Sequence, residues 1–151
     1  RFIRVNVLSA ARLTDQGIIE GIAHDLMRER ARLNAQNIQV WADVDVKHSA
    51  AIAPRSIAEE TADVVVRALA DAVIVSGFGT GADTSVEDVA AVKHASKGAP
   101  VLIGSGITEQ SVGRYLGHAD GFIVGTSLKE DGIFSRPVDR ERVKRLVAAL
   151  S

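Results

Sequence analysis

The 151-residue chain has no cysteine. That excludes a disulfide framework and a thiolate metal site. No apolar run comes near the ~18 residues that a membrane-spanning helix needs. No signal-peptide pattern opens the chain, and no low-complexity stretch or interdomain linker interrupts it. Charge of one sign is also missing: 18 Lys and Arg stand against 19 Asp and Glu, a formal net charge of −1. Nucleic-acid binders carry a strong basic excess, so no nucleic-acid partner is expected. These absences predict a soluble cytoplasmic protein.

What is present is enough apolar material for one core: 46% of the residues are hydrophobic, at a length typical of a single domain. Strand-like runs alternate with runs of helical period. FIRVNVL (2–8), IQVWADVDV (38–46), DAVIVSG (71–77), PVLIGSG (100–106) and GFIVGTS (121–127) read as strands. Residues 17–33, 56–70, 85–96, 108–117 and 139–151 read as helices. Ser56 with Glu59 forms a capping box, and Ser85, Thr108 and Asp139 stand at the starts of later helices. Asp15 reads as the cap before residue 17. No hairpin signal separates the strands.

Repeated βα units imply a parallel sheet covered by helices. Five strands can complete a doubly wound sheet, or they can be the C-terminal part of a TIM (β/α)8 barrel. The chain begins at Arg1 and enters a buried-type strand at once, without Met. With the polar residues gathered at strand C-terminal ends, this favours the barrel. Residues 1–151 then form the C-terminal portion of a single TIM-barrel domain, with about three βα units upstream. Exposed sheet edges would invite pairing, so a homo-oligomer is one expectation.

Two consecutive strands end in Gly104-Ser105-Gly106 and Gly125-Thr126-Ser127. Glycine lets backbone N–H groups approach an anion, and a helix N-terminus adds partial positive charge. Many barrels bind phosphate in the loops after their last two strands, beside a short extra helix. SLKEDG (127–132) has the length of that helix. The alternative is that these glycines only make tight βα turns. Glu130 and Asp131 would repel an anion unless they point away.

In VWADVDVKHS, period two places Trp41, Asp43, Asp45 and Lys47 on one face and Val40, Ala42, Val44 and Val46 on the other. In FIRVNV, Arg4 and Asn6 share a face in the same way. Charges facing into a barrel are costly unless paired or solvated. The group Lys47, Asp45, Asp43 and Asn6 is therefore the candidate catalytic set. Lys47 would be general acid, general base or imine-forming amine, and the acids would orient it or bind a divalent ion. The alternative is a structural salt-bridge layer. His48 follows Lys47 and stands near the pocket, whereas His24, His94 and His118 read as surface residues. SGFGTG (76–81) lacks the spacing of a dinucleotide fingerprint, so neither a nicotinamide nor a flavin cofactor is expected; as an active-site loop it fits better.

FIRVNVLSAARLTDQGIIEG, ADVDVKHS, VLIGSGIT and DGFIVGTSLKEDG, the last running into PVDRERV, together resemble the BtpA family over nearly the whole chain. The resemblance implies a phosphate-binding-type TIM barrel whose fourth strand opens this chain. The family takes its name from a factor in photosystem I biogenesis, which implies possible roles at a membrane complex and peripheral membrane association. Its members outside photosynthetic organisms imply a more general, enzymatic role. A fainter similarity, to orotidine-phosphate-decarboxylase-like barrels, rests on Asp45-Val46-Lys47; the last acid of that motif is replaced here by Ala50, and the strand differs. Three functions follow: lyase or isomerase chemistry on a phosphorylated metabolite, a non-catalytic biogenesis factor, and a phosphate-ligand sensor.

Overall fold

A computed structural model describes residues 1–46, 48–77 and 84–150. In chain order the elements are β1 (Phe2–Val5), β2 (Ala11–Thr14), β3 (Gly17–Glu20), α1 (Ala23–Arg32), β4 (Gln39–Val44), β5 (Ser49–Ala51) and α2 (Ile57–Ala62). There follow β6 (Ala72–Val75), α3 (Val86–Ala95), β7 (Val101–Ile103), β8 (Gly121–Phe122) and α4 (Arg140–Ala148). α2 runs on into a π-helical turn, Asp63–Arg67, and single 3-10 turns occupy Val112–Tyr115, Thr126–Leu128 and Glu130–Gly132.

Five parallel strands form one sheet in the order β1-β4-β6-β7-β8. Each parallel strand adds on the same side of its predecessor. A doubly wound sheet reverses its order at a switch point; this one does not, and so it is an arc of barrel wall. One face carries Val40, Ala42, Val44, Val73, Val75, Val101 and Ile103, which pack with Val64, Val89, Val92 and Leu146 from the helices. The other face carries Trp41, Asp43, Ile74 and Leu102, aligned by the strand register. β-branched residues dominate the helix side because they fit a pleated surface buried on both sides.

The predicted caps form. Ser56 Oγ accepts from Glu59 N at 3.2 Å while the Glu59 carboxylate accepts from Ser56 N at 2.8 Å. Ser85 Oγ accepts from Asp88 N at 3.2 Å. Asp139 Oδ1 accepts from Glu141 N at 2.8 Å and Arg142 N at 3.3 Å.

Two expectations need correcting. Residues 17–33 are not one helix, because β3 pairs with β2 as an antiparallel hairpin and β5 joins on the other edge of β2. Asp15 lies in the hairpin turn rather than at a helix cap. There Thr14 Oγ1 accepts from Gln16 N at 3.1 Å and donates to Gly17 O at 2.9 Å. Gly17 has φ +104, a left-handed conformation suited to glycine. Gly21 then fits where a Cβ would lie 2.8 Å from the Leu8 and Ala10 carbonyl oxygens. The second correction concerns residues 108–117, which form only the turn Val112–Tyr115. Thr108 still acts locally, its Oγ1 accepting from Ser111 N at 3.2 Å.

One device recurs. Asp71, before β6, donates its N–H to Val40 O and accepts from Val40 N through its carboxylate, both at 2.8 Å. Asp120, before β8, does the same with Val101, at 2.7 Å in each direction. A cation from the helix before the neighbouring strand closes each clamp: Arg30 of α1 at 3.1 Å and Lys93 of α3 at 2.5 Å. The aspartate thus joins strand start, neighbouring strand and helix. The hydrogen bond from Lys93 holds the Asp120 carboxyl below its ordinary pKa, helped by the Val101 amide and opposed by partial burial.

Asp120→Ala keeps the backbone bond to Val101 O but removes the acceptor of Val101 N and Lys93 Nζ, and is expected to lower unfolding stability by about 1–3 kcal/mol in urea titration, the range for leaving a polar group unsatisfied. Asp120→Asn, which can still accept from Val101 N, should lose less. Because the folded pKa is depressed, the wild-type advantage over Asp120→Asn is present above the ordinary aspartate range. It should fade as pH falls through that range to the depressed value.

Candidate functional site

Arg4 of β1 and Asp43 of β4 meet on the inner face of the sheet. Arg4 Nε donates to Asp43 Oδ2 at 2.8 Å and Nη2 donates to Oδ1 at 2.6 Å, a two-point fork. Asp43 is only 7% exposed. The Arg4 side chain, by contrast, is 42% exposed. The bond to Asp43 raises the Arg4 pKa above its ordinary value, against partial desolvation. Towards the start of the same strands, Phe2 stacks on Trp41 with ring centroids 3.6 Å apart. Trp41 is thus a packing residue.

Alternation stops before Asp45. β4 ends at Val44, and Asp45 adopts φ +51. Its carboxylate turns from the Arg4–Asp43 pair to Arg12 of β2, whose Nη2 donates to Asp45 Oδ1 at 2.8 Å. Arg12, 5% exposed, spends its other donors on Ser49 Oγ at 2.6 Å and Glu60 Oε1 at 2.5 Å. Glu60 Oε2 in turn accepts from Asp45 N at 3.1 Å. One guanidinium therefore ties the hairpin, the end of β4 and α2 together. Arg12 and Glu60 escaped sequence reasoning because neither lies on a run whose period points to the barrel interior.

Asn6, Asp43, Asp45, Arg12 and Glu60 line one small cavity of about 20 Å³, a space suited to a single water. A more open cavity of about 440 Å³ is lined by Asp45, His48, Ser49 and Thr14. The two acids are thus engaged by different arginines. Among the described residues no three His, Asp or Glu side chains gather as a metal-ligand group. Lys47 lies outside the described residues, as do residues 78–83, which include the last four of the glycine-rich SGFGTG segment (76–81). His24, His94 and His118 are exposed, as expected.

The two glycine loops do come together. Gly104, Ser105 and Gly106 from one, and Gly125, Thr126 and Ser127 from the other, line a cavity of about 540 Å³. Gly106 has φ +72. At Gly104 a Cβ would lie 2.7 Å from Ile74 Cγ2 and 2.9 Å from Ser76 Oγ, so only glycine fits. Hydrogen bonds among the described residues leave the amide N–H groups of Gly125 and Thr126 unused. The Ser127 hydroxyl, in contrast, is committed: it donates to Ile107 O at 2.6 Å and pins one loop to the other.

In place of the expected short helix, residues 126–132 make two 3-10 turns. Neither Glu130 nor Asp131 lines the cavity, and Asp131 pairs with Arg136. Arg142 is the cation that does line it. Asp139 caps α4 and so fixes Arg142 in the first helical turn, where Nη1 donates to Ser127 O at 3.2 Å. Sequence reasoning missed Arg142 because it stands in the charge-rich helical run RERVKR (140–145), where nothing sets one cation apart from the others.

The chain matches the BtpA family over residues 1–151. It is 40% identical to the photosystem I biogenesis protein BtpA of Synechocystis, covering 100% of this chain and 52% of that protein. It is 48% identical to an uncharacterized protein of Thermococcus kodakarensis, covering 97% and 54%. An uncharacterized mitochondrial protein of Caenorhabditis elegans is 36% identical over 97% of this chain and 52% of its own length. The chain thus spans about half the length of these relatives. Among solved structures it is similar to a TIM barrel, the phosphoribosyl anthranilate isomerase from Thermococcus kodakaraensis. The TM-score is 0.57 at 15% identity, over 99% of this chain and 62% of that one. At that identity the likeness carries the fold alone. No helix among the described residues is long and apolar enough to cross a membrane.

Gly104→Ala is expected to cost about 1–3 kcal/mol in unfolding stability, the usual range for overpacking, because its Cβ meets Ile74 and Ser76. Arg12→Met leaves Asp45 and Glu60 without their partner and is expected to cost about 3 kcal/mol or more in the same denaturation assay.

Proposed function

The chain belongs to the BtpA family, and on that premise we propose that it binds a phosphorylated small molecule in the cup between the two glycine loops. The supporting observation is the cavity of about 540 Å³ lined from both loops and by Arg142. Ser105, Gly106, Gly125, Thr126 and Ser127 offer backbone to the phosphate, and Gly104, whose own N–H donates to Val75 O at 2.7 Å, gives the cup its bare wall; the Thr126 hydroxyl and the Arg142 guanidinium are the side-chain donors. Ser127 acts through its backbone, since its hydroxyl holds the loops together.

Asp43, Asp45, Asn6 and Lys47 are the proposed chemical group, for proton-transfer, isomerase or lyase chemistry. Asp43 is paired with Arg4 and Asp45 with Arg12. Asp45 also borders an open cavity, where a carboxylate can exchange a proton with a substrate. Lys47 supplies the complementary amine. The rest of the barrel belongs, in this reading, to βα units preceding β1 in the full-length protein.

A second reading draws on the name of the Synechocystis relative: a non-catalytic biogenesis or stability factor for a membrane complex such as photosystem I. The exposed apolar side chains Leu13, Ile18 and Ile52 on and beside the antiparallel sheet favour it, since they offer a surface to another protein.

Melting of the full-length protein separates the two. Sugar and nucleotide phosphates should raise the melting temperature while their dephosphorylated parents leave it unchanged; a ligand at a hundred times its Kd adds about 2.7 kcal/mol. Thr126→Val and Arg142→Met should each weaken phosphate-ester binding about tenfold or more. Lys47→Met should abolish turnover of any ligand that is converted, while folding survives. Equal shifts from esters and parents would remove the phosphate reading and leave the biogenesis factor ahead.

A further inference from the structure

The cup has a cationic neighbour that phosphate binding does not require. Arg4 uses Nε and Nη2 on Asp43, and its Nη1 has no hydrogen-bond partner among the described residues. Its side chain is half open, whereas the Asp43 side chain beneath it is 5% exposed. The buried acid therefore acts as a fixed anchor that holds the fork in one orientation. Arg4 is also close to the cup. Its Nη2 lies 3.5 Å from where a Gly104 Cβ would be, and Gly104 is a wall of the cup. Ser76 Oγ, 2.9 Å from the same point, is buried with no hydrogen-bond partner among the described residues.

A guanidinium paired with one carboxylate through one edge keeps a second edge for another anion. Were Arg4 only neutralising Asp43, an enclosed pair would serve, and the half-open edge beside a glycine wall would have no use. We infer that Arg4 forms a second anion subsite next to the phosphate cup, and that the ligand is a short molecule carrying a carboxylate as well as a phosphate. This rests on the phosphate reading of the cup and narrows it to phosphorylated acids. Arg4 is a binding and specificity residue in this scheme, and Asp43 positions it.

The test uses the full-length protein, calorimetry and two probes that differ in one group: 3-phosphoglycerate, with a carboxylate, and glycerol 3-phosphate, with an alcohol in its place. Inorganic phosphate reports on the cup alone. Wild type should bind 3-phosphoglycerate about tenfold or more tighter than glycerol 3-phosphate. Arg4→Gln with Asp43→Asn, which keeps a hydrogen-bonding pair and removes both charges, should erase that ratio. Arg4→Lys, which leaves Asp43 paired, should reduce the ratio and guards against misfolding of the double variant. Thr126→Val should weaken both probes equally. Equal affinities in wild type, or a ratio unchanged in the Arg4 variants, would overturn the second subsite while leaving the cup intact. Failure of all three probes to bind would overturn the cup and the subsite together.

Discussion

Because Val40, Ala42 and Val44 are buried against the helices, the same strand must turn Trp41 and Asp43 to its other face. That alternation is the constraint on which the inner face depends. An acid placed there by geometry rather than by solvation needs a partner, and Arg4 on the adjoining strand supplies it with two hydrogen bonds. Gly104 lies beside the pair, and its missing Cβ leaves room for Ile74, buried on that same inner face, and for Ser76. Core packing, the inner ion pair and the wall of the cup are thus successive consequences of one period-two pattern.

The antiparallel sheet answers a different problem. β4 ends at Val44 and the chain leaves through a left-handed Asp45, so the residues beyond need fixing from outside the parallel sheet. Arg12 does this from the hairpin, reaching Asp45, Ser49 and Glu60 with separate donors. The ion pairs of Asp43 and Asp45 look alike on paper but differ in role. The first is set within the sheet; the second joins three elements from different parts of the chain. Any chemistry at Asp45 is therefore coupled to the packing of the hairpin.

In the cup, each hydroxyl or cation has a distinct task. Ser127 closes the two loops on each other, Asp139 caps α4, and the cap brings Arg142 to the cavity. The aspartate clamps at Asp71 and Asp120 set the starts of the strands at the opposite end of the sheet. One end of the wall is thus held by carboxylates accepting from strand amides, while the other leaves glycine amides and an arginine around an open space. That division fits a fold in which stability and binding occupy opposite ends of the strands.

Local information was enough for whatever depends on near neighbours in the chain. Period two showed which side of β4 faces the helices. Ser56, Ser85 and Asp139 announced their caps because a cap is a bond across two or three residues. The paired Gly104–Gly106 and Gly125–Ser127 loops were legible because consecutive parallel strands deliver their C-terminal ends to one rim. The hairpin was not legible: Ile18, Ile22 and Leu26 satisfy a helical period, and only pairing with β2, together with the close approach of Leu8 O and Ala10 O at Gly21, decides for a strand. Nor could the sequence assign Asp43 to Arg4 and Asp45 to Arg12, or set Arg142 beside the cup. Those partners lie 39, 33 and 15 or more residues apart. Which distant charges meet is decided by how the elements pack, since charge pairing has no period along the chain by which it could be read.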